Sequence, residues 1–118
     1  MYVKRSYSIK QEIIAKFCNA LANPARVAIC QYIIKNGDSF FGSIHNELPL
    51  SKATVSQHLT VLKDAGLIDS EVIAPHVKYS INIDNWMLAN EIISSFMATC
   101  TLESGNDVED GVDADVEQ

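Results

Sequence analysis

Near the start of the chain, apolar residues recur at helical spacing: Ile9, Ile13, Ile14, Phe17, Cys18 and Leu21. Residues three and four apart share one face of a helix, so this pattern predicts a helix with a single apolar stripe. Ser8 offers the N-cap hydroxyl. Asn23-Pro24 ends that helix and begins another, with Asn23 as cap and Pro24 at the first helical position, where its missing N–H is harmless. Val27, Ile29, Cys30, Ile33 and Ile34 mark the second helix, which stops at Asn36-Gly37. A shorter segment, Ser39 to Leu48, follows and is broken by Pro49.

Ser51 caps the next helix, whose buried stripe is Val55, Leu59 and Leu62 and which closes at Ala65-Gly66. The period then changes from 3.6 to 2. Val77, Tyr79, Ile81 and Ile83 alternate with Lys78, Ser80 and Asn82, the signature of a strand with one buried face. Ile68 to Ile73 reads as its partner strand, with Ala74-Pro75-His76 as the hairpin turn. Asp84 or Asn85 caps a last helix reaching about residue 100, and Trp86, Ala89, Ile93, Phe96, Met97 and Cys100 line one face of it. The fold predicted is mainly α with a two-stranded β-hairpin. Its order (helix, helix, short helix, capped helix, hairpin, helix) is that of a winged helix-turn-helix.

Charge sharpens the domain division. Residues 1–102 carry nine Lys/Arg and eight Asp/Glu, whereas residues 103–118 carry seven Asp/Glu and no Lys or Arg. The net charge of −6 therefore belongs to the tail, which has no apolar period and reads as disordered. The body, 1–102, is near neutral, so overall acidity does not exclude a nucleic-acid partner. An acidic tail can also compete for the body's basic surface and lower non-specific DNA binding. Three widely spaced cysteines cannot build a disulfide scaffold, and no apolar run is long enough to cross a membrane. The expectation is a cytoplasmic protein.

The helix from 51 to 65 carries the candidate chemistry. With Val55 at zero on a helical wheel, Leu59 and Leu62 fall near 40° and −20° on the core side, at about 100° per residue. Ala53, Gln57, Thr60 and Asp64 fall on the far side, with Thr54 and Ser56 on the flanks. Short, mostly uncharged side chains let a helix approach base edges in a major groove, although the same face suits plain solvent contact. Gln57 can pair with an adenine edge, and Ala53 or the Thr54 methyl can meet a thymine methyl. Lys52, beside the Ser51 cap, suits a phosphate at the helix N-terminus. His76 and Lys78 are the basic candidates on the hairpin. His58 points near the core side, which fits a packed, hydrogen-bonded histidine at least as well as a base contact.

Together these segments resemble the ArsR/SmtB family of winged-helix repressors. The resemblance lies in Ala20-Leu21-Ala22-Asn23-Pro24-Ala25-Arg26, Leu50-Ser51-Lys52-Ala53-Thr54-Val55-Ser56-Gln57-His58-Leu59, Val61-Leu62-Lys63-Asp64-Ala65-Gly66-Leu67-Ile68 and Lys78-Tyr79, and spans roughly residues 10–100. It implies a homodimer that binds double-stranded DNA at a pseudo-palindromic operator and lets go on sensing a signal. It also implies that the first and last helices form the dimer interface, here through Ile13, Phe17, Trp86, Ile93, Phe96 and Met97. The same apolar faces also suit the core of a single chain.

The chain departs from the family in its sensor positions. Where many members place a Cys-x-Cys metal pair, this chain has about Phe40 and Gly42, and the last helix supplies no histidine. No metal or other cofactor is expected. Some relatives use thiols instead, which makes Cys18, Cys30 and Cys100 candidates for a thiol switch beside their plainer role as small buried apolar residues. Over residues 51–80, three lysines meet three acids, so the DNA surface should bind weakly per subunit. That near-neutrality keeps a second function open, a winged-helix module that binds protein. Catalysis is not expected: the five glycines are scattered, and no spacing marks a catalytic triad.

Overall fold

The computed structural model describes residues 6–104, so the reading of the acidic tail lies largely outside the described residues. The chain folds as α1 (Ile9–Ala20), α2 (Pro24–Asn36), β1 (Ser39–Phe40), α3 (Phe41–Asn46), α4 (Lys52–Asp64), β2 (Ile68–Ile73), β3 (His76–Ile81) and α5 (Ile83–Ser104). The winged helix-turn-helix expected from the sequence is the fold observed. It gains one element, since β1 pairs with β3 to make a three-stranded antiparallel sheet in the order β1-β3-β2.

Local chemistry sets most boundaries. The Ser8 hydroxyl accepts from the Gln11 N–H while the Gln11 side chain accepts from the Ser8 N–H, a reciprocal capping box. Asn23 Oδ1 accepts from the Ala25 N–H at 2.8 Å, and Pro24 starts α2. α2 stops at Gly37, whose φ of +82° is left-handed backbone that a residue with a Cβ adopts only under strain. The cap of α5 differs from expectation. Asn82, not Asp84 or Asn85, holds the helix start, its Oδ1 accepting from the Asn85 N–H at 2.9 Å. Ile83 is therefore the exposed first residue of α5, not the end of a strand.

The hairpin register pairs Ile68 with Ile81, Glu71 with Lys78 and Ile73 with His76. On its other edge, β3 pairs Tyr79 with Ser39 and Lys78 with Phe40. The core gathers Phe17 and Ala20 of α1, Ile29, Cys30 and Ile33 of α2, Ile44 of α3, Val55, Leu59 and Leu62 of α4, then Leu67, Ile68 and Ala89. Every helix thus gives a stripe to one core. That core seats α4 with its opposite face outward.

Candidate nucleic-acid interface

α3 and α4 are joined by the turn Glu47–Ser51, and the start of α4 is built to stay open. The Ser51 hydroxyl accepts from the Thr54 N–H at 3.2 Å and donates to Thr54 Oγ1 at 3.0 Å. The first turn of α4 carries no acidic residue, so its partial positive charge is not offset from within the helix. Val55, Leu59 and Leu62 are fully buried, whereas Ser51, Lys52, Ala53, Ser56, Gln57 and Thr60 are exposed and Thr54 is half-buried. The wheel drawn from the sequence is therefore the one the fold presents.

Hydrogen bonding divides these side chains into engaged and open groups. Thr60 donates to the Ser56 carbonyl at 3.0 Å, so its hydroxyl proton is taken and its methyl and lone pair face outward. The Lys52 ammonium, the Gln57 amide and the Ser56 hydroxyl carry no intramolecular partner among the described residues. An exposed amide with two donors and an acceptor, between a methyl and hydroxyls, can read a base edge. A nearby ammonium at a helix N-terminus can meet a phosphate.

The wing is less open than its sequence suggested. His76 is exposed and meets the Phe40 ring edge-on at 5.8 Å between centroids. Lys78 lies on the central strand with its side chain only 29% exposed, 3.8 Å from Glu71 and 3.9 Å from Asp38. Two carboxylates already screen its charge. The three histidines sit on separate elements with separate neighbours: His45 Nε2 lies 3.0 Å from the Leu50 carbonyl, and His58 Nδ1 lies 3.1 Å from the Arg26 guanidinium. No group of three potential metal ligands occurs among the described residues. His58 is half-buried and held by Arg26, an arrangement that sequence spacing had no means to show.

The residues expected at a dimer interface divide as well. Phe17 is only 2% exposed within one chain, a core residue with no surface left to offer, so it is removed from that set. Ile13, Trp86 and Ile93 are half-buried against the core. Phe96 and Met97 are 55% and 66% exposed, where α5 runs on beyond its own core. A cleft of about 460 Å³ between α1 and α5 is lined by Ile14, Ala15, Ile92 and Phe96 among others.

The three candidate thiols are all free. Burial pushes the Cys30 thiol up to about 11, which removes the reactive thiolate at neutral pH. Cys18 and Cys100 are exposed. Ser8 to Ala15 face Ile92 to Thr99, and Leu21 faces Trp86, so α1 and α5 run antiparallel. Cys100 then lies beside the start of α1, about 16 Å along the axis from Cys18, against about 7 Å between Cα atoms for a disulfide.

Comparison with known proteins agrees with this geometry. A family model described as a helix-turn-helix domain matches residues 21–71. The nodulation protein NolR of Rhizobium meliloti is 33% identical over 73 residues, covering 62% of this chain and 59% of NolR. The transcriptional repressor SdpR of Bacillus subtilis is 33% identical over 75 residues, covering 58% of this chain and 82% of SdpR. An ArsR-like transcriptional regulator from Rhodococcus shares the fold with a TM-score of 0.67 at 19% identity, over 79% of this chain and 87% of that one. With this likeness added to the capped, outward-facing α4 and its wing, the chain belongs to the helix-turn-helix transcriptional regulators and has the fold of an ArsR-like one.

Proposed function

We propose that this chain is a homodimeric, sequence-specific repressor that acts in the cytoplasm. It inserts α4 into the major groove of a pseudo-palindromic operator and releases it on a signal. The observation that carries this reading is the division of α4. A fully buried stripe of Val55, Leu59 and Leu62 fixes the helix, and Ala53, Ser56 and Gln57 are left exposed and open on the other side. Thr60 shares that face, Ser51, Lys52 and Thr54 flank it, and His76 extends it onto the wing. Lys78 contributes less, because Glu71 and Asp38 hold its charge. Two copies are joined through the open end of α5, at Phe96 and Met97, with Ile13, Trp86 and Ile93 beneath.

The test is binding of the purified, reduced protein to the DNA upstream of its own gene and to other candidate promoters, titrated in salt against scrambled DNA of equal length. Tight, selective binding that weakens with salt supports a repressor, and additions of oxidant or metal then search for the signal. Absence of selectivity at every promoter refutes it. The screened wing lysine favours the second reading, a protein-binding module, which would then lead, with the face around Gln57 as the surface to test.

A further inference from the structure

Arg26 stands in the first turn of α2, yet its guanidinium serves two other helices. Nε donates to the Ala20 carbonyl at 2.7 Å and Nη2 to the Asn19 carbonyl at 3.4 Å. α1 has no basic residue in its own last turn, so Arg26 supplies the cation at its negative end. The remaining arm, Nη1, lies 3.1 Å from His58 Nδ1. A guanidinium only donates, so Nδ1 must accept, and the proton of the neutral imidazole is then on Nε2. One side chain thus ties the end of α1 to the middle of α4.

The position of that tie on α4 gives it a use. The buried stripe holds α4 by apolar contacts, which are non-directional and fix depth better than rotation about the helix axis. His58 stands about 60° away from Val55 around the helix, off the stripe, and next in sequence to Gln57 on the exposed face. A directional bond there opposes roll. A small roll of α4 would carry the Gln57 amide off any base edge, while the Lys52 ammonium, on a long flexible stem, would still find a phosphate. We propose that Arg26 and His58 are a positioning pair that sets the roll of α4, and with it sequence selectivity, while touching no base themselves. The inference rests on α4 being the DNA-reading helix.

The test compares His58→Leu, which keeps bulk but loses the acceptor, with His58→Asn, whose amide oxygen can stand where Nδ1 accepts. Full-length proteins are titrated with the promoter duplex selected by the wild type and with its scrambled counterpart, after equal melting behaviour is checked. His58→Leu should bind the selected duplex about tenfold more weakly, the scale of a weakened Gln57 base-edge contact. Its binding to scrambled DNA and its salt dependence should not change, and His58→Asn should recover most of the loss. Nitrogen-15 NMR of the wild type should show His58 protonated at Nε2 and bare at Nδ1. Equal loss on both duplexes, no rescue by asparagine, or a proton on Nδ1 overturns the inference alone. A wild type that selects no duplex overturns the DNA reading and this inference with it.

Discussion

Replacing Lys52 with alanine tests where the phosphate backbone meets the protein. Lys52 is exposed in the first turn of α4, has no ion pair among the described residues, and stands at a helix end with no acidic residue nearby in its own first turn. Each neutralised phosphate contributes about −0.9 to the slope of log K against log salt. In the proposed dimer two such contacts vanish, so the slope should become shallower by about 1.8. Between about 50 and 200 mM salt the wild type should then lose about twelvefold more affinity than Lys52→Ala.

Lys78→Ala is the built-in comparison. Its ammonium lies within 4 Å of both Glu71 and Asp38, which already act as its counterions, so fewer mobile ions are released on DNA binding. Its slope should change by less than half as much as that of Lys52→Ala. Gln57→Ala, by contrast, should reduce selectivity over scrambled DNA at an unchanged slope, because a base contact carries no counterion. The assay is fluorescence anisotropy of a labelled duplex titrated at several salt concentrations and fixed pH. A wild-type slope in Lys52→Ala, with a flattened slope in Lys78→Ala, would refute the reasoning and make the wing the main phosphate contact.

Gly66→Ala places a Cβ 2.8 Å from Asn85 Nδ2 on backbone at φ +87°, and Asn85 Nδ2 donates to the Gly66 carbonyl at 2.9 Å. Left-handed strain and the disturbed hydrogen bond together cost about 2–3 kcal/mol, so thermal unfolding followed by circular dichroism should fall by about 10 °C or more; an unchanged melt refutes this. Cys30, raised from 9.0 to about 11 by burial, should have about a hundredfold less thiolate at neutral pH than an unperturbed thiol. Iodoacetamide should therefore label Cys18 and Cys100 well before Cys30, and equal rates by mass spectrometry count against the burial argument. The folded chain also holds the Cys30 proton more tightly than the unfolded chain, so this contribution to stability is full below pH 9.0 and is lost as pH rises towards 11. Phe96→Glu combined with Met97→Glu should yield a folded monomer in sedimentation experiments; a persistent dimer would place the interface elsewhere.

Signals carried by neighbours in sequence were legible in advance. Ser8, Asn23-Pro24, Gly37, Ser51 and Gly66 fix helix ends through bonds spanning a few residues, and the structure places a cap or stop at each. The stripe of α4 was legible because burial repeats with the helix period. Contacts made across the fold were not. β1 is two residues long and exists only through its pairing with β3, so no period announces it. Asn82 caps α5 only because the strand stops at Ile81, one residue before it. Arg26 bonds to residues 6, 7 and 32 positions away, and nothing in the spacing links it to His58.

Phe17 and Phe96 illustrate the remaining limit, and they bear on the proposed dimer. Both lie on apolar helical faces, and periodicity identifies such a face without naming what covers it. Geometry separates them. α1 has 12 residues and α5 has 22, about 18 Å against about 33 Å of helix. The first half of α5 meets the core through Trp86, Ala89 and Ile93, and Phe17 is buried with them. The second half lies beside α1 and leaves Phe96 and Met97 open. A two-fold related copy would cover that end with the same surface, the self-complementary arrangement of an isologous dimer. Electrostatics asks for the same thing. One α4 with a single open lysine in its first turn, beside a wing lysine already held by two acids, gives a weak grip on the duplex. In the proposed dimer, joining two such surfaces would make the second binding event intramolecular, so affinity and operator symmetry would both follow from the apolar overhang of α5.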